Sequence, residues 1–288
     1  MAIPDKKPYE RLSDYLERTL PGELEAGKSR GKATADIMAK FNEEPPREMF
    51  APFIWGKGSN NVASHLVPTS GLVFGLDLGI GNSYPGSGNL FTDISPNPLP
   101  DGDFADPTSF EYGDNRFVGF LGGTGSRLQF GPGSYSKLNY TETWSYFIYW
   151  KPIEGGLYNY TANVFDKSFD QDNIHTLQYD FSTVTGGSIR PINSGDYQGM
   201  NPIPQNLSEL KSVAFTKDLN SMSNNYKAYE NAVNTFTTTS NFTLTANQTG
   251  VNFNNNIGRL FRIYNLYVYN RALTAAEITS MHAYVTSY

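Results

Sequence analysis

Between Ile257 and Met281 the chain reads Ile-Gly-Arg-Leu-Phe-Arg-Ile-Tyr-Asn-Leu-Tyr-Val-Tyr-Asn-Arg-Ala-Leu-Thr-Ala-Ala-Glu-Ile-Thr-Ser-Met, and no other stretch limits the fold so sharply. From Arg259 to Tyr269 nearly every residue is aromatic or branched, with no proline and no glycine after Gly258. Such a run predicts a long strand buried largely on both faces, ended by Asn270 and Arg271. Next comes Thr274-Ala-Ala-Glu277, a capping box in which the Thr hydroxyl satisfies the amide three residues on and the Glu reaches back. A short helix is expected there, with Ile278 and Met281 on its buried side.

The rest of the composition agrees with a β protein. Tyr and Phe number 19 each and Gly 27, while only 17% of residues are charged, the balance of a turn-rich, aromatic-rich sandwich rather than a helical bundle. Length allows one large β domain plus an appendage. No apolar run reaches a membrane span, and the N-terminus lacks a signal-peptide apolar region, so a soluble product with no membrane insertion is expected. With no Cys, disulfides and thiolate metal sites are excluded. Residues 1–66 carry 10 basic and 10 acidic side chains, so the net charge of −6 falls on the remainder. No clustered basic face suggests nucleic acid as a partner.

The first segment is of another kind. Tyr9 to Leu20 places Leu12, Tyr15, Leu16 and Leu20 near one helical stripe, closed by Pro21-Gly22, and a second helix is expected over 34–41. The following Glu-Glu-Pro-Pro-Arg-Glu-Met-Phe-Ala-Pro-Phe-Ile-Trp is extended by its prolines, yet Met49, Phe50, Phe53, Ile54 and Trp55 call for burial. Such an arm cannot build its own core. It straps its own domain or docks into a larger assembly, and the second reading makes Leu12, Leu16, Met49, Phe50, Phe53 and Trp55 partner-binding residues. The division expected is an anchoring arm over 1–68 and a β domain over 69–288.

From Gly71 the pattern is one of strands separated by Gly, Asn, Ser and Pro turns. The segment Gly-Leu-Val…Leu-Asp…Gly-Asn-Ser-Tyr-Pro-Gly-Ser-Gly…Phe-Thr-Asp-Ile-Ser (71–95), the alternating strand Thr143-Trp-Ser-Tyr-Phe-Ile-Tyr-Trp-Lys-Pro and the closing strand with its capped helix together resemble the concanavalin A-like, laminin-G-like domains of tailed-bacteriophage virion proteins. The resemblance covers about residues 69–288. It implies a two-sheet antiparallel jelly roll with an N-terminal extended, helical arm and a short C-terminal helix. It also implies a non-enzymatic structural component of a phage particle, as a capsid decoration, collar or tail protein. The arm would dock to other virion proteins, the lectin-like domain would project, and the protein would form a homo-oligomer assembled in the host cytoplasm. The alternative is a carbohydrate-binding adhesion module that recognises host-surface glycan. One departure stands out: the family's Tyr-x-Asn-Gly hairpin is here Tyr229-Glu-Asn231-Ala232, so either the turn differs or Asn231 alone takes the left-handed conformation. The Gly-, Asn- and Pro-rich stretch Ser182–Leu207 is long for a connection and is a candidate functional loop.

Catalytic chemistry finds little support. Glucanases of this fold carry closely spaced carboxylates on one strand face, and the nearest match, Glu111-Tyr-Gly-Asp114, reads as a Gly-rich turn lacking a third acid. His65, His175 and His282 stand singly, which disfavours serine or zinc catalysis. No cofactor is expected. Calcium is the one metal the loops suggest, because Asp101-Gly-Asp103-Phe-Ala-Asp106 and Asp166…Asp170-Gln-Asp172 offer clustered oxygens, although acidic loops are more often solvated turns. Asn-x-Ser/Thr triplets at Asn139, Asn159, Asn206, Asn241 and Asn247 are what a chain rich in Asn and Thr yields by chance. A sugar platform needs an exposed aromatic beside planar polar groups, and among so many tyrosines none stands apart.

Overall fold

The computed structural model describes Pro21 and residues 66–287, apart from the segments 79–82, 85–87, 105–109, 114–116, 121–126, 154–159, 166–176, 184–185, 193–202, 207–208, 245–249 and 254–260. The chain divides into two units, Met1–His65 and Leu66–Tyr288. The proposed arm residues Leu12, Leu16, Met49, Phe50, Phe53 and Trp55 lie outside the described residues.

In chain order the second unit runs β1 (Leu72–Asp77), β2 (Leu90–Phe91), β3 (Gly102–Phe104), β4 (Phe110–Gly113), β5 (Phe117–Phe120), β6 (Leu128–Phe130), β7 (Trp144–Pro152) and β8 (Tyr160–Phe165). It continues through β9 (Leu177–Thr183), β10 (Gly186–Arg190), β11 (Ile203–Asn206), β12 (Lys211–Lys217), β13 (Tyr226–Glu230), β14 (Val233–Thr238), β15 (Val251–Phe253), β16 (Phe261–Tyr269) and α1 (Ala275–Val285). An eight-stranded sheet in the order β14-β13-β12-β7-β16-β5-β4, with β1 also on β16, faces two four-stranded sheets, β11-β10-β9-β8 and β15-β6-β3-β2. Phe74 of β1 ties the layers together, its ring 5.1 Å from Phe130, 5.6 Å from Phe165 and 5.7 Å from Phe253. Trp150 of β7 meets Tyr179 of β9 edge-on at 5.0 Å. This is a mainly β, antiparallel sandwich with one short C-terminal helix, as expected.

The closing strand occupies the middle of the large sheet. β16 pairs along its whole length with β7, while its other side pairs with β5 through residues 261–263 and with β1 through 265–269. Both edges satisfied and both faces covered is the environment that a run of aromatic and branched residues requires. Alternation along β16 breaks at a bulge between Ile263 and Asn265. The core face is therefore Phe261, Ile263, Leu266 and Val268, with Tyr264 as the inserted residue.

On the outer face, α1 covers the C-terminal half of β16 and buries Ile278, Met281, Tyr284 and Val285. Its capping box is present, with Thr274 N donating to Glu277 Oε2 at 2.8 Å and Glu277 N to Thr274 Oγ1 at 3.2 Å. Arg271 adds a two-pronged contact to the Glu277 carboxylate at 3.0 and 2.6 Å. Burial pushes the Glu277 pKa up, but those bonds outweigh it and hold the carboxyl below its ordinary value. Beneath the helix, Tyr267 and Tyr284 hydroxyls each donate to Asp77 Oδ2 at 2.6 Å, and Asn265 Nδ2 donates to Oδ1 at 2.9 Å.

Three local expectations are corrected. The β13–β14 turn is not carried by Asn231 alone: Asn231 has φ 49° and Ala232 φ 65°, so both central residues are left-handed, as a type I′ hairpin needs to match strand twist. Glu111 lies on β4, paired opposite Gly119, rather than in a turn. The stretch from Ser182 to Leu207 is not one long loop, because it contributes β10 and β11, two strands of the second sheet.

Candidate functional site

The part of the outer face that α1 leaves uncovered carries an aromatic group next to the β16 bulge. Strand alternation from Arg262 puts the half-buried Tyr264 ring on this outward face, where it lies 5.5 Å from Tyr149 of β7 and 5.5 Å from Phe117 of β5. Arg262 stacks its guanidinium 4.3 Å over the Phe117 ring and donates through Nε to Glu111 Oε1 at 2.7 Å. Glu111 reaches it across Gly119, where a Cβ would come within 2.4 Å of Glu111 Cγ. Any larger residue on β5 would lift the carboxylate away. Burial raises the Tyr149 pKa, with its neighbour Tyr264 adding to the rise. Burial also raises Tyr264, partly offset by Arg262. Both phenols are therefore neutral hydrogen-bonding groups at any physiological pH. The result is a surface of two half-exposed tyrosine rings bordered by a planar guanidinium–carboxylate pair.

Two other polar sites resolve into structural devices. A shallow cleft between Asn97–Pro98 and Ser134–Lys137 contains Lys137. Its ammonium donates to Asp93 Oδ2 at 2.8 Å, to Ser95 Oγ at 3.0 Å and to the Asn97 carbonyl, so all three protons are engaged. Ser212 Oγ and His282 Nδ1 are 2.8 Å apart, which brings a serine and a histidine together. Ser212 is 1% exposed, too enclosed for a nucleophile, and the pair links β12 to α1.

Of the calcium candidates, Asp101 accepts from Thr92 Oγ1 at 2.9 Å and Asp103 is exposed on β3. Asp106, Asp166, Asp170 and Asp172 lie outside the described residues, as do His65 and His175. Among the described residues no three His, Asp or Glu side chains gather where a metal ion could be held. No helix among them is long and apolar enough to cross a membrane. Sequence reasoning did not single out Tyr149, Arg262 or Tyr264. The only signal present was Arg-x-Tyr at the start of the closing strand, which alternation puts on one face, while the rings and charges beside it come from strands that only the sheet pairing brings there.

No protein-family model matches the chain, and no curated protein matches it in sequence. Solved structures match it in fold. The binding domain of Paraclostridial Mosquitocidal Protein 1 superposes with a TM-score of 0.53 at 12% identity, over 74% of this chain and 52% of that one. The binding domain of Botulinum Neurotoxin DC, solved in complex with SialylT, gives a TM-score of 0.54 at 12% identity, over 76% of this chain and 52% of that one. A mutant of Trypanosoma rangeli sialidase displaying trans-sialidase activity gives 0.52 at 16% identity, over 75% of this chain and 33% of that one. The chain thus spans a third to a half of the length of these structures. At such identities the likeness shows the fold alone, a β-sandwich.

Proposed function

We propose that the chain is a glycan-recognising module that binds saccharide on the Tyr149–Tyr264 face and does not turn it over. The observation that carries this reading is the pair of half-exposed tyrosine rings, 5.5 Å apart, with Arg262 and Glu111 at their border. A pyranose ring presents C–H groups on its faces and hydroxyls around its edge. Tyrosine offers an apolar face and a polar tip, and guanidinium and carboxylate groups pair with adjacent hydroxyls. Likeness of fold to binding domains, one of them solved with SialylT, supports the same reading. The family resemblance would place such a module on a phage particle, with residues 1–68 docking to the virion. That setting has no support from the matched structures, and the glycan reading does not depend on it.

The test is a saccharide array with the intact chain, Tyr149→Ala and Tyr264→Ala, alongside a reducing-end assay for turnover. Retention of at least one saccharide class without turnover, lost at least tenfold in both variants at unchanged melting temperature, is the expected result. Retention unaffected by either substitution, or turnover abolished by one Asp or Glu substitution, overturns it.

A further inference from the structure

Among the described residues, the charge on this face is unbalanced. Lys151 and Arg262 are direct cross-strand partners on β7 and β16, so two cations project side by side beside the tyrosines. Like charges placed opposite each other destabilise a sheet. One carboxylate answers them: Glu111 engages Arg262 Nε at 2.7 Å from the β4 side, and among the described residues Lys151 has no ion pair and no side-chain hydrogen bond. Elsewhere on the sheet Lys211 is matched by Glu230 at 2.6 Å and Glu209 at 3.1 Å, and Arg271 by Glu277 at 2.6 Å, while Lys217 donates to the Phe242 carbonyl and Lys227 has no ion pair among the described residues. The positive surplus is also local, since the chain as a whole carries −6.

We infer that the Tyr149–Tyr264 face selects an anionic saccharide, whose ring lies against the tyrosines while its carboxylate or sulfate meets the Lys151 ammonium. Arg262 stays held by Glu111 as a hydrogen-bonding edge, and Lys151 supplies the charge that discriminates. The bound anion would relieve the repulsion between the two cations, so affinity and selectivity have the same source. A half-exposed ammonium is screened by salt, and binding must weaken as ionic strength rises.

This inference rests on the glycan reading, and the experiment separates the two. The intact chain, Lys151→Gln, Lys151→Arg and Tyr264→Ala are measured at 50 and 300 mM salt against galacturonate oligomers, chondroitin sulfate oligosaccharides and neutral cello-oligomers. The expected result is at least tenfold preference for one or both anionic probes, and the two anionic arms identify which acid group is recognised. Lys151→Gln should remove that preference and most of the salt dependence, Lys151→Arg should retain it, and Tyr264→Ala should abolish binding to all probes. Equal binding of neutral probes with Lys151→Gln behaving like the parent overturns the charge selection and leaves the platform standing. Absence of binding to every probe, or full binding by Tyr264→Ala, removes the platform and the selection together.

Discussion

Asp93 is the most heavily used carboxylate among the described residues, and its neutralisation gives the sharpest test of how the β2–β3 connection is held. Oδ1 accepts the amides of Gly75 and Ser95, both at 2.9 Å. Oδ2 accepts Leu99 N at 2.8 Å, Ser95 Oγ at 2.9 Å and Lys137 Nζ at 2.8 Å. The side chain is fully enclosed. In Asp93→Asn the amide can keep its oxygen toward Gly75 and Ser95, but its NH2 then confronts two donors, the Leu99 amide and the Lys137 ammonium. A charge-assisted hydrogen bond contributes about 1.5–3 kcal/mol, and bonds sharing one acceptor group do not add. Breaking a buried pair by removing one partner costs about 3–5 kcal/mol, which sets the expected loss. At about 2–4 °C per kcal/mol for a domain of this size, the melting temperature should fall by roughly 6–20 °C. Urea titration and calorimetry would measure the loss, and hydrogen exchange should show the Ser95 and Leu99 amides losing protection first. Asp101→Asn, on an exposed neighbour, should stay within about 0.5 kcal/mol of the parent. A melting temperature for Asp93→Asn within 2 °C of the parent would refute the reasoning.

Three further outcomes are expected. Ala232→Gly should stabilise the protein by about 1 kcal/mol, because a non-glycine residue at φ 65° carries a left-handed penalty that glycine lacks; a lower melting temperature would count against this account of the turn. Burial lowers the His282 pKa, so the fold prefers the neutral ring: stability from this group should be complete above the ordinary value of 6.5 and decline as pH falls from there toward the lower folded value, and His282→Gln should remove that part of the pH profile. A chain beginning at Leu66 should melt cooperatively with the β spectrum of the parent, since the core cluster among the described residues runs from Val73 to Val268; an unfolded product would show that residues 1–65 complete the core.

What the sequence determined by itself is what short-range physics decides. The capping box at Thr274–Glu277 needs only four consecutive residues, and it formed where it was read. β7 and β16 were legible because a run such as Trp144–Trp150 or Phe261–Tyr269 has no alternative to burial in a sheet. The sandwich class followed from those runs and the turn residues between them. Tertiary structure decided which way each side chain points. A single inserted residue, Tyr264, reverses the parity of β16 beyond it, sending Leu266 and Val268 to the core and Asn265 and Tyr267 to the outer face. Glu111 became a strand residue because β5 was there to pair with it, and Ala232 adopted φ 65° because the pairing of β13 with β14 demands it. The strands β10 and β11 lie in a stretch whose Gly, Pro and Asn content reads as loop, since their pairing partners, not their own propensities, hold them extended. The candidate site belongs to this second group. Its rings and charges come from β4, β5, β7 and β16, residues up to 153 positions apart from Glu111 to Tyr264, and only the register of the large sheet brings them to one face.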